Sequence, residues 1–308
     1  MKAFTEVSKS FTQETIRKFY AGWCRFFFEA DATAQLKLLR ICLGLLLFVA
    51  YVIRAVDADF YFGSNGVLEL EKMIETFPMK YRWSFLIWFP GNTSLWVTTG
   101  LLLVSLLTMA FGIFPRISAA IAFIMHVSFM HRNMGIVYGL DMIAVFFLFY
   151  LCFSKTDSKP KSPESWAAML TSSALRMIQI QMCIIYAYSG LEKLKGPTWW
   201  KGEAIWTVFA HSQIVRWQMD WVSHFPLVIT AMTYMTLAWE IYFPALVWLK
   251  KFRPWILAMG VLLHIGIGAV VFIPFFSTLM IISYASFLTP NEANWIMRRA
   301  AQLFRRKV

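Results

Sequence analysis

Long apolar runs divided by short charged turns set the pattern of this chain. They cover 38–53, 94–113, 117–130, 136–153, 175–190, 224–249, 254–272 and 274–288. A helix needs about 20 such residues to cross roughly 30 Å of hydrocarbon, so the pattern predicts an all-α, polytopic membrane bundle of about eight spans. The run over 117–130 is short for a crossing. The turn before 274–288 is minimal and apolar, so the last two runs read either as two spans or as one long buried hairpin. Pro244 inside the sixth run removes a backbone hydrogen bond and predicts a bend. Arg40, in the first turn of the first run, is expected to extend its guanidinium to the headgroups.

The polar stretches organise the rest. Residues 1–37 mix Phe19, Tyr20 and Trp23 with Lys18 and Arg25, and read either as an interfacial helix or as a short cytoplasmic helix packed on the bundle. Residues 54–93 balance acidic and basic groups around a Gly63, Ser64, Asn65, Gly66 turn. They predict a folded external cap with Tyr81, Trp83, Phe85, Trp88 and Phe89 on its membrane face. Residues 154–168 are polar and split the chain into halves. The stretch 197–221 is too polar to cross and too aromatic for a free loop, which predicts a surface or re-entrant helix over the bundle mouth. A basic amphipathic tail, 290–308, follows the membrane domain of 38–289.

Composition sharpens the class. With 59% apolar residues, 15% charged and a mean hydropathy of +0.58, the chain lies outside the range of soluble domains of its length. The net charge of +12 is spread between apolar runs rather than gathered on one face, which excludes a nucleic-acid partner and points to membrane lipids, anionic ones included. With both termini cytoplasmic, only Arg54, Lys72, Lys80, Arg82, Arg132, Lys193, Lys195, Lys201 and Arg216 of the 29 Lys and Arg fall outside, as the positive-inside bias requires of a multi-pass protein of the cell inner membrane. Residues 1–20 carry no apolar core behind their charges, so no cleaved leader is expected. The four cysteines are far apart, form no CxxC and are expected as free thiols.

Five groups stand where apolar spans should not carry polar side chains without reason: His126, Asp141, Lys193, Glu240 and His264. Asp141 near a helix start is expected to pair with a cation such as Arg132. Glu240 and His264 lie in neighbouring spans, where a buried hydrogen bond between them would satisfy both. Lys193 ends the fifth run beside Glu192 and Lys195; partial dehydration would favour its neutral amine and let it act as a base, while the alternative is an anchor that extends to the headgroups. Tyr138 and Tyr186 are further polar lining candidates. A metal site from His126, His131, Glu240 and His264 lacks ligand spacing, since the first two lie about 140° apart on an ideal helix.

Three segments carry a resemblance. HRNMGIVYGLDMI (131–143), IIYAYSGLEKLKGPTWWKG (184–202) and EIYFPALVWLKKFRP (240–254) followed by His264 resemble the HTTM family, the membrane domain shared with vitamin K-dependent gamma-carboxylases. The resemblance implies that the GLEK lysine, here Lys193, is the base that takes a proton from a reduced, vitamin K-like quinone. It implies a second catalytic role for a histidine near the Tyr138–Gly139 step, where Met134 or Asn133 stands in register and His131 is displaced; His264 and Glu240, as a structural pair or part of a proton path, complete the candidate catalytic set. Tyr138, Tyr186, Trp199 and Trp200 become the expected cofactor-binding residues. Short HTTM proteins resemble maturation factors for secreted bacterial peptides, the sporulation-delaying toxin system included, which adds a secreted peptide substrate and a soluble accessory protein as expected partners. A non-catalytic scaffold, immunity protein or export subunit is the alternative.

Overall fold

The computed structural model describes residues 2–76, 82–158, 162 and 164–305, so Tyr81 of the cap lies outside the described residues. Among the described residues the regular elements are all helices. Helix α1 (Lys2–Phe28) leads into α2 (Thr33–Val56). Three short helices form the cap: α3 (Ala58–Phe62), α4 (Leu70–Thr76) and α5 (Phe85–Trp88). Then come α6 (Asn92–Phe111), α7 (Pro115–Arg132), α8 (Gly139–Phe153) and α9 (Trp166–Lys193). Short α10 (Pro197–Trp200) and α11 (Ala204–Phe209) connect to α12 (Pro226–Leu246), α13 (Arg253–Val270), α14 (Pro274–Ser283) and α15 (Pro290–Arg305). Four of these, α2, α6, α9 and α13, are long and apolar enough to cross a membrane.

Side-chain distribution shows why the long helices suit lipid. On α6, Val97, Leu101 and Val104 are exposed, and on α7 so are Ile117, Ile121 and Ile124. Each set repeats at i, i+4, i+7, so the outward stripe of both helices is apolar, the reverse of a water-soluble helix. Inward, α2 buries Leu36, Leu39, Leu43 and Leu47 against Leu102, Leu106 and Met109 of α6. Small residues carry the α7 contact, with Ser118, Ala119 and Ala122 buried, so that its backbone can approach its neighbours closely.

Several boundaries and partners differ from the sequence reading. Helix α2 starts at Thr33 rather than at 38, and α9 starts at Trp166 rather than at 175, where the Ser165 hydroxyl accepts from the Ala168 amide and caps the helix. Helix α12 stops at Leu246, within a turn of Pro244, so the proline sits at the end of the helix and not in its middle. Arg40 is buried and does not reach the headgroups: its Nη1 donates to the Met109 carbonyl at the C-terminal turn of α6, where a cation meets the negative end of the helix dipole. Asp141 is paired with Arg54, not Arg132, through two hydrogen bonds of 2.7 and 2.9 Å. Arg132 instead donates to the carbonyls of Gly63 and Leu68, and Asn133 Nδ2 to that of Tyr61 at 2.7 Å, so the end of α7 fastens the cap. Trp88 and Phe89 are exposed, while Ser84 is buried and its hydroxyl donates to the Ser128 carbonyl at 2.7 Å.

The stretch after α9 folds back over the end of the bundle. Tyr234 on α12 donates to the Trp200 carbonyl at 2.6 Å, and Trp217 Nε1 to that of Ala269 at 3.0 Å. Val215 and Val271 form an isolated antiparallel bridge beside the α13–α14 turn. The four cysteines are free.

Candidate functional site

The last two turns of α9 position the site. Tyr186, Ser189 and Lys193 are spaced i, i+3, i+7 and share one helix face. That face meets α12 closely because residue 190 is glycine: a Cβ there would stand 2.9 Å from Ile241 Cγ1 and 3.3 Å from Glu240 Cβ. The close approach brings Lys193 onto Glu240. Lys193 Nζ donates to Glu240 Oε1 at 3.0 Å and lies 2.8 Å from Oε2, the second approach being charge contact without hydrogen-bond geometry. It also donates to Ser189 Oγ at 2.6 Å and lies 5.3 Å from the Trp199 ring centroid. The Lys193 side chain is 23% exposed and that of Glu240 only 8%, so the pair sits at a mouth with its acidic member deeper.

Two turns further along α9, about 10 Å away by helical rise, lies a second polar group. Tyr186 OH is 2.9 Å from His264 Nε2 and 2.6 Å from Tyr284 OH, joining α9, α13 and the 3-10 turn that follows α14. Gly260 permits this, since a Cβ there would fall 2.3 Å from the Tyr284 hydroxyl oxygen. His264 Nδ1 is buried without a hydrogen-bond partner in the structure. The expected Glu240–His264 hydrogen bond is therefore not formed: the carboxylate is turned to Lys193, whose charge is the stronger partner, and the imidazole to a phenol.

Lys195 separates from Lys193 in role. It is exposed and bonded to Glu192 Oε1 at 2.6 Å, and this carboxylate holds its ammonium above the usual lysine range. Trp200 is exposed, with Nε1 donating to the Leu194 carbonyl at 2.7 Å.

His131 and Tyr138 belong to a different cluster. His131 Nδ1 lies 2.9 Å from the Trp83 carbonyl oxygen, so it serves the cap. Tyr138 caps α8 beside Arg54, whose guanidinium lies 5.9 Å from its ring. Tyr51 OH meets His126 Nδ1 at 2.8 Å, and His126 Nε2 meets the Asp141 carbonyl oxygen at 3.0 Å, which completes that network. Phe276 of α14 stands between the clusters, its ring 5.9 Å from that of His264 and pressed on Gly139. Among the described residues no three His, Cys, Asp or Glu side chains are grouped to hold a metal ion.

Ser189, Tyr284, Tyr51 and Arg54 complete the two networks and were not singled out by sequence reasoning. Ser189 carried a usable signal, standing one turn before Lys193; Tyr284 carried none, because its partners are remote in sequence. No protein-family model, no curated protein and no solved structure matches the chain.

Proposed function

We propose that this chain is a multi-pass protein of the cell inner membrane that binds a reduced quinone or similar lipid beside Lys193 and uses it to mature a secreted peptide at the outer face. The eight crossings in this reading are α2, α6, α7, α8, α9, α12, α13 and α14, with both termini cytoplasmic. The short members α8 and α14 cross within the shelter of their neighbours, α8 against α7 and α9, and α14 against α2 and α13.

The observation that carries the reading is a lysine at a bundle mouth, held by a deeper carboxylate and flanked by an aromatic ring. The HTTM resemblance of 184–202 supports it and supplies the cofactor class. The residues present fit a flat apolar ring with a polar edge: Trp199 flanks Lys193, and the next residue, Trp200, is exposed. When bound, a hydroquinone supplies an acidic hydroxyl and a reducing ring. The rest is work for the chain. Ser189 Oγ fixes Lys193 Nζ in place. Glu240, hydrogen-bonded to Lys193 Nζ at 3.0 Å, can take the proton that the ammonium must lose before its amine accepts another. The 197–221 stretch, with Trp199 beside Lys193 and the Trp200 carbonyl held by Tyr234, shields the lysine from water, and a soluble accessory protein presents the peptide.

One observation favours the non-catalytic alternative, a membrane scaffold: the Lys193–Glu240 pair is complete and needs nothing further. Difference spectra of the purified protein titrated with reduced menaquinone separate the two. A quinone-dependent change in the wild type that Lys193→Ala abolishes is expected. Absence of any quinone effect in the wild type refutes the enzyme reading and leaves the scaffold.

A further inference from the structure

At the end of the bundle where α2 begins, a groove of about 430 Å³ is lined by Lys37, Asn291, Asn294, Met297, Arg298 and Ala301. Lys37 stands just past the first turn of α2, a helix that has no acidic residue in its first turn and no side-chain cap, so the positive end of its dipole lies beside the lysine charge. Across the groove, α15 contributes two amides and a guanidinium. Its nearest carboxylate, Glu292, is withdrawn from the groove by bonds of 2.6 Å to Thr289 N and 2.8 Å to Thr289 Oγ1.

One turn before Arg298 the helix offers an apolar surface that identifies the ligand. Trp295 is exposed, and the Arg299 guanidinium lies 5.7 Å from its ring. A tryptophan beside arginine on an amphipathic helix is suited to the level where headgroups meet acyl chains. A free phosphate would use the cations and amides but leave this apolar surface uncovered; an anionic phospholipid uses both.

We propose that the α2–α15 groove binds the phosphodiester headgroup of an anionic phospholipid, its acyl chains lying along Trp295. Lys37 and Arg298 supply the charge, and Asn291 and Asn294 supply neutral donors to phosphate oxygens. The site fastens α15 to the bilayer surface at the foot of α2. This inference rests on the multi-pass reading of the preceding section but not on any catalytic role for Lys193.

The test is lipid retention by the full chain, extracted in mild detergent and placed in nanodiscs of phosphatidylcholine with a minor share of phosphatidylglycerol, with bound lipid counted by native mass spectrometry. Wild type is expected to retain phosphatidylglycerol selectively. At about fivefold per surface cation, Lys37→Ala with Arg298→Ala should cut that preference roughly thirtyfold. Asn294→Asp, which places a carboxylate in the groove without removing a cation, should also lower it. Unchanged retention in both variants, equal retention of phosphatidylcholine, or displacement of the lipid by millimolar inorganic phosphate would each overturn the lipid assignment. Release of the protein from membranes by alkaline carbonate would overturn the multi-pass reading itself, a separate result.

Discussion

Removing the members of the Lys193–Glu240 pair one at a time should give unequal losses of stability, in an order set by depth. Lys193→Met leaves the Glu240 carboxylate in place with a side chain 8% exposed and without the lysine that pairs with it. Breaking a buried pair in this way costs about 3 kcal/mol or more. Glu240→Gln leaves an ammonium that is 23% exposed, still bonded to Ser189 at 2.6 Å and close to the Trp199 ring. That ammonium can turn its head toward water, so the loss should be about 1 kcal/mol. The double variant replaces both charges by neutral side chains of similar length and should fall within about 1 kcal/mol of wild type, which makes the coupling about 3 kcal/mol. Tryptophan-fluorescence unfolding at fixed detergent concentration measures all four proteins. Additive losses, or a larger loss from Glu240→Gln than from Lys193→Met, would refute the reasoning, because either would mean that the carboxylate does not depend on the lysine.

Two further outcomes follow from the other networks. Arg54→Ala should destabilise by about 3 kcal/mol in the same assay, because it strands Asp141 at 2% side-chain exposure; Arg54→Lys should recover only part, since a single ammonium cannot make both bonds. A loss below about 0.5 kcal/mol for Arg54→Ala would show that the pair is unimportant to the fold. In the tail, hydrogen bonds from Thr289 hold the Glu292 carboxyl below its ordinary range. A carboxyl lowered on folding stabilises above its unfolded value, near 4.3, and loses that contribution as pH falls through the folded value. Hydrogen-exchange protection of residues 291–296, corrected for intrinsic rates, should therefore fall below about pH 4.3, and Glu292→Gln should flatten the dependence; identical profiles would exclude a role for this cap.

Much of the architecture was legible because it is local. A run of apolar residues specifies a helix suited to lipid whatever its neighbours are, and α6, α7 and α13 begin and end within a few residues of their runs. The folded segment of short helices between α2 and α6 and the return of 197–221 over the bundle end were also readable, since mixed polar and aromatic residues suit neither a long apolar helix nor a free loop. Helix starts were less so: α9 begins at Trp166 behind a Ser165 cap, inside what hydropathy alone reads as a polar loop. Arg40 was misread because its proximity to a span end suggests headgroups, whereas a carbonyl at the end of α6 lies nearer.

By itself, the sequence determined an all-helical chain with lipid-facing stripes and named the polar groups that such helices should not carry without cause. Only the tertiary structure decided which of those groups meet. Lys193 and Glu240 are 47 residues apart, Arg54 and Asp141 are 87 apart, and Tyr186 and Tyr284 are 98 apart. Pairing at such distances depends on where glycines let helices close, at Gly190 against α12 and Gly260 against Tyr284, and not on spacing along one helix. For that reason Lys193 could be singled out from the chain alone, while its dependence on Glu240, and the separation of His131 from both, could not.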